Sequence, residues 1–182
     1  MAATEKKQMW FWSSSDGGEP EVQPYPIAAS QGIFMPGAPC YISTSGTVKL
    51  SDTADGTGDV HHGFIVGVQS RATAWPLTAE LAANSVVLVQ IIDTHDFYAV
   101  YTENAGTDAA APQSIVGNRY GLTVSSTAGQ VGYTSLNLAN SNAVVQVYDV
   151  IQNVEPSGHA AADAPGIAIV KFIPANVYAT KA

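Results

Sequence analysis

Val86-Val-Leu-Val-Gln-Ile-Ile92, the turn Asp93-Thr-His-Asp96 and Phe97-Tyr-Ala-Val-Tyr101 decide how this chain folds. The first run is apolar on both faces apart from Gln90 and has strand length, as a central strand does. The last is rich in aromatic and β-branched residues, and the four polar residues between them have the composition of a hairpin turn. The same signals recur outward. Thr47-Val-Lys-Leu50 alternates, and Phe64, Val66 and Val68 share a face at period two. Leu122-Thr-Val124, residues 143–154 and Ile167-Ala-Ile-Val-Lys-Phe-Ile173 follow, with Gly, Asn, Asp and Ser in the gaps. One short helix is expected over residues 79–83, capped by Thr78 and ended by Asn84. The fold class is all-β, a β-barrel or a jelly-roll-like sandwich with an extended N-terminal arm.

The 182 residues suit one domain, and 46% apolar residues suffice for a sizeable core. Core candidates are Tyr41, Ile42, Val66, Leu88, Ile91, Val100, Val147, Val150, Val170 and Phe172. Charged residues make up only 12%, about half the usual share, so the surface is polar but mostly neutral. A net charge of −8 with seven basic residues argues against a nucleic-acid binder, which needs clustered Lys and Arg. No run approaches the roughly 20 apolar residues of a membrane helix, and no signal-peptide core stands out. The single cysteine, Cys40, excludes an intramolecular disulfide and a multi-Cys zinc site, and reads as a small buried hydrophobe.

Residues 1–30 differ from the body at 31–182. Trp10, Phe11 and Trp12 precede a Ser/Gly segment, and Pro20, Pro24 and Pro26 then hold the chain extended. A segment of this kind is either a mobile terminus or an arm docked by its rings, which are costly to expose. As adhesive residues we single out Trp10, Phe11, Trp12, Pro20, Pro24 and Pro26, with Tyr25 and Ile27 at the junction with the body.

No catalytic constellation is legible. Nucleophile elbows, phosphate loops and dinucleotide turns are missing, and no carboxylate spacing singles out a glycosidase pair. His61 and His62 are adjacent, so on a strand they point to opposite faces and read as solvated turn residues, as does His159. Asp93 and His95 share a face, but no third ligand is in view. The Gly-rich acidic loop 52–59 lacks the EF-hand order and reads as a hairpin tip. No cofactor or metal is therefore expected, and the chain is expected not to be an enzyme. Lys171 shares a strand face with Ile169 and Ile173, which suits a gatekeeper charge on a sheet edge or an ion pair across an interface. A faint echo links residues 37–48 with 117–131, each a glycine turn, an aromatic-led strand, a Ser/Gly turn and a return strand.

Gly32-Ile-Phe-Met-Pro-Gly37-Ala-Pro-Cys-Tyr41-Ile-Ser-Thr-Ser-Gly46-Thr-Val-Lys-Leu50, followed by Gly63-Phe-Ile-Val-Gly-Val68, resembles the turn-and-strand pattern of tailed-bacteriophage capsid decoration (cement) proteins. Ala164-Pro-Gly-Ile-Ala-Ile-Val-Lys-Phe-Ile173 resembles their closing strand. The resemblance covers about a fifth of the chain and leaves out the Trp-Phe-Trp segment. It implies a structural virion protein on the capsid exterior that bridges major capsid protein subunits, working as a homo-oligomer, a trimer in preference to a dimer, with no nucleic-acid or membrane partner. The other reading is a phage tail or spike module, a glycan-binding adhesin, with Trp75, Tyr98, Tyr101 and Tyr120 as ring platforms.

Overall fold

A computed structural model describes residues 9–51, 62–71, 73–124, 132, 134–140, 142–151 and 166–177. Among these residues twelve strands form two sheets. The first sheet contains β1 (Met9–Ser14), β7 (Asp96–Asn104), the short β8 (Thr107–Asp108), β9 (Arg119–Val124), β10 (Thr134–Asn137), β11 (Val145–Ile151) and β12 (Ile167–Phe172). The order β7-β10-β9-β11-β12 closes on itself, because β12 pairs with β7 through Ile167–Tyr101 to Val170–Tyr98. The result is a five-stranded closed barrel, in which β10 runs parallel to β7 and the other pairs are antiparallel. Closure removes the exposed strand edges that an open sheet would offer.

The second sheet has the order β2 (Val22–Pro26), β6 (Val86–Ile91), β5 (Gly63–Val68), β3 (Ala38–Ile42) and β4 (Val48–Leu50). A parallel bridge between Ile27 and Val48, with the Ala28 N–H donating to the Val48 carbonyl at 2.9 Å, draws its two edges together. Within the described residues the expected strands are present, the stretch expected at 143–154 as β11 with 152–154 outside those residues, and the all-β class holds as a closed barrel with a second sheet beside it. Both runs of the N-terminal segment within the described residues are strands. β1 lies along β7 and β2 along β6. Pro24 and Pro26 are tolerated because β2 has only one strand partner.

Each sheet wraps its own core. Tyr98, Val100, Leu136, Val147, Val170 and Phe172 fill the first, and Ile27, Phe34, Cys40, Val48, Val87 and Val89 fill the second. β5 joins them. Ile65 faces the second core while Phe64 and Val66 pack on the first. A bulge between Ile65 and Gly67 then inserts one residue, and Val68 turns to the second core. The shared face expected for Phe64, Val66 and Val68 therefore covers only the first two.

Three other expectations change. Residues 79–83 are not helical; the segment is a bend followed by a turn, and Asn84 adopts φ 66°. Five residues are too few to repay helix nucleation, and their groups bond elsewhere. The Asn84 N–H donates to the Ile27 carbonyl, and Glu80 accepts from the Gly32 N–H at 3.2 Å. Residues 93–96 do form a turn, closed by the Asp96 N–H to Asp93 carbonyl bond at 3.1 Å, but it is no hairpin. It carries the chain from β6 in the second sheet to β7 in the first. Lys171 is not an edge charge, since β12 lies between β11 and β7.

Candidate binding surface

The aromatic triplet divides its rings among three environments. Alternation along β1 sends Phe11 inward, where it meets Tyr98 edge-on at 6.3 Å. Trp10 points outward and leans on Tyr101, with ring centroids 5.6 Å apart. Trp12 occupies a break in register between Phe11 and Ser13 and remains 51% exposed. The bulge puts Trp12 outside the regular ladder, so its ring is presented to solvent while its neighbours are held. Beneath β1, a cleft of about 190 Å³ opens between the two sheets, lined by Trp10, Phe11, Pro36, Phe64 and Gln90 among others.

Pro24 and Tyr25 pair with Leu88 and Val87. The Tyr25 hydroxyl donates to Gln23 at 2.7 Å and lies 3.3 Å from His62 Nε2, the two rings meeting edge-on. Burial pushes the Tyr25 hydroxyl above the ordinary tyrosine range. Ile27 is fully buried in the second core, so it is a packing residue and presents nothing to a partner. Pro20 lines a different cleft with Asp16, Glu19, Glu21, Asp93 and Asp96. Of the acids here, Asp93 is held low by the His95 backbone N–H, which donates to it at 2.8 Å, and by the His95 ring. Asp96 is pushed up by burial, against the pull of the Ser14 hydroxyl. Among the described residues no group of His, Cys, Asp and Glu could hold a metal ion. His61, His159 and the loop 52–59 lie outside the described residues.

The rings suggested as sugar platforms are committed elsewhere. Tyr98 is fully buried and donates to Asp96, and Trp75 packs edge-on against Phe34 in the second core. Tyr120 packs against the first core and Tyr101 is covered by Trp10.

A second surface escapes sequence reading. Register places Arg119 opposite Gln146, and Gln146 opposite Lys171, in one row across β9, β11 and β12 on the outer wall of the barrel. Lys171 Nζ sits 4.2 Å above the Phe97 ring and 5.4 Å from that of Tyr148. Tyr148 meets Phe97 edge-on at 5.1 Å and is 52% exposed. Arg119, Gln146, Tyr148 and Lys171 line a cleft of about 200 Å³. Among the described residues neither cation has a carboxylate within ion-pair distance. Only the odd position of Lys171 on an apolar strand hinted at this; the other members are brought together by strand register.

No family model, curated protein or solved structure matches the chain. The fold defines it as an all-β protein with a closed barrel and a second sheet.

Proposed function

We propose that this chain is a structural virion protein, a capsid decoration or cement protein that binds the outer surface of a tailed-phage head and bridges major capsid subunits. It acts as a homo-oligomer, a trimer, without turnover or cofactor. The observation that carries the reading is Trp12. A ring half exposed beside a strand pinned along its length to the barrel is an anchor fixed at little entropic cost, and Trp is the residue most suited to that role. The low charge of the chain favours broad, wet, hydrogen-bonded contact, and repetition around a shell multiplies weak contacts. The resemblance of residues 32–50, 63–68 and 164–173 to phage decoration proteins supports a phage head as that shell.

The test is sedimentation of the purified chain with assembled phage heads and, separately, with dissociated major capsid subunits. Retention by heads and not by subunits is the expected result. A chain that stays in the supernatant with heads overturns the reading, and equilibrium sedimentation at a single chain mass overturns the oligomer.

A further inference from the structure

We propose that the outer barrel wall at Arg119, Gln146, Tyr148 and Lys171 is a binding site for a singly charged carboxylated sugar. The site is independent of head binding and stands on its own geometry. Four chemistries converge on the cleft of about 200 Å³. Arg119 presents an exposed guanidinium fork, the donor geometry that matches a carboxylate. Tyr148 presents a half-exposed ring braced by Phe97, apolar surface for the C–H groups of a sugar at little entropic cost. Lys171 is steadied over the same two rings, which places its ammonium beside the platform. The Gln146 amide donates to the Gly117 carbonyl at 3.2 Å through Nε2, leaving Oε1 to accept from a ligand hydroxyl.

Charge decides the ligand. The chain carries −8, yet these two cations have no carboxylate partner among the described residues, so a local positive site sits in a negative field. That field repels long polyanions and leaves a single carboxylate as the best fit. Strand geometry argues against an acidic peptide. Gln146 is paired on both sides, and β12 lies between β11 and β7, so an extended backbone finds no strand edge to join at the centre of the row or along β12. Neighbouring strands stand roughly 4.8 Å apart, so the row from Arg119 to Lys171 spans about 10 Å, the width of one sugar ring with its substituents.

The experiment is NMR titration of the intact chain with methyl glucuronoside and sialyllactose, each beside its neutral counterpart, methyl glucoside and lactose, and with tri-glutamate. At least one acidic sugar is expected to saturate shifts of the Tyr148 and Phe97 rings and to bind about tenfold or more tighter than its neutral partner. Arg119→Gln and Tyr148→Ala, both on exposed side chains, are each expected to weaken it about tenfold with unchanged melting. No saturable binding of either acid, equal binding of the neutral sugar, or tri-glutamate binding as tightly as the sugars overturns the proposal. The wild-type comparison alone decides this if a variant fails to fold.

Discussion

The Phe64 ring, from the second sheet, lies 5.3 Å from the ring of Tyr98 in the barrel. Phe172 completes a triangle, at 6.0 Å from Phe64 and 5.5 Å from Tyr98. One sheet thus supplies a side chain to the core of the other, and the two cannot be loosened separately at this point. Phe64→Ala empties a position that is 2% exposed and is expected to cost about 3–5 kcal/mol. Urea unfolding followed by both tyrosine fluorescence and far-ultraviolet circular dichroism should show one shifted transition. Two separate transitions in the variant would mean that the sheets fold independently.

Gly132 marks a second close approach. Its φ is 91°, and a Cβ there would run into the Cβ of Ala38 and stand 3.0 Å from the Ala38 Cα, on β3 of the other sheet. Both strain and overlap oppose a side chain, so Gly132→Ala is expected to destabilise by at least about 2 kcal/mol. Gly17 also has a positive φ, of 77°, but open space around it. Gly17→Ala is expected to cost only about 1 kcal/mol, the backbone part alone. Equal costs in urea titrations would show that the approach at Ala38 relaxes freely.

The individual strands were legible because side-chain alternation is a local property. Val86 to Ile92 and Ile167 to Ile173 announced themselves by composition. Which sheet a strand joins is not local. The turn at 93–96 looks the same whether the next strand folds back or crosses to another sheet, and here it crosses. Lys171 looked like an edge charge because its strand partners lie 25 and more than 70 positions away, at Gln146 and on β7. The bulge at Val66 has no signal beyond Gly67, yet it reverses the facing of Val68. The aromatic triplet was legible as rings in search of a surface, but the division of labour among Trp10, Phe11 and Trp12 depends on the register with β7.

Asp96 gives a pH-dependent outcome. Burial holds its carboxyl above the ordinary value of 3.8, with Asp93 nearby adding to the effect. The folded state then binds the proton more tightly than the unfolded state, so this group adds stability as pH falls through its raised folded value and opposes folding at neutral pH. Asp96→Asn keeps an acceptor for the Tyr98 hydroxyl at 3.3 Å and removes the charge. The variant is expected to be more stable than the parent at pH 7, with the difference shrinking as pH falls toward 4. Melting temperatures across that range, with a larger advantage at low pH, would reverse the sign and refute the account.

Cys40 is fully buried, its Sγ 3.3 Å from the Gly63 carbonyl, and burial pushes its thiol far up. The unfolded thiol ionises near pH 8.5 while the folded one stays protonated, so stability from this group is full below that pH and declines above it. The native thiol is expected to resist an aromatic disulfide reagent that labels it promptly in urea. Between pH 7.5 and 9.5 the parent should lose stability faster than Cys40→Ala. Rapid labelling of the native chain would contradict the burial.

Met9 and Trp12 lie at opposite extremes of burial within one strand. Met9 pairs with Val100 and is 2% exposed in the barrel core, whereas Trp12 projects from the bulge three residues later. Met9→Ala is expected to cost about 2–5 kcal/mol by leaving a cavity. Trp12→Ala removes a ring with half its surface in water and is expected to leave the unfolding midpoint nearly unchanged. If the chain adheres to phage heads through β1, Trp12→Ala should lower retention by about tenfold or more, the usual effect of truncating an aromatic anchor. A Trp12→Ala protein that sediments with heads as the parent does would remove β1 from the adhesive surface. A matching loss of stability would show instead that the ring serves the fold.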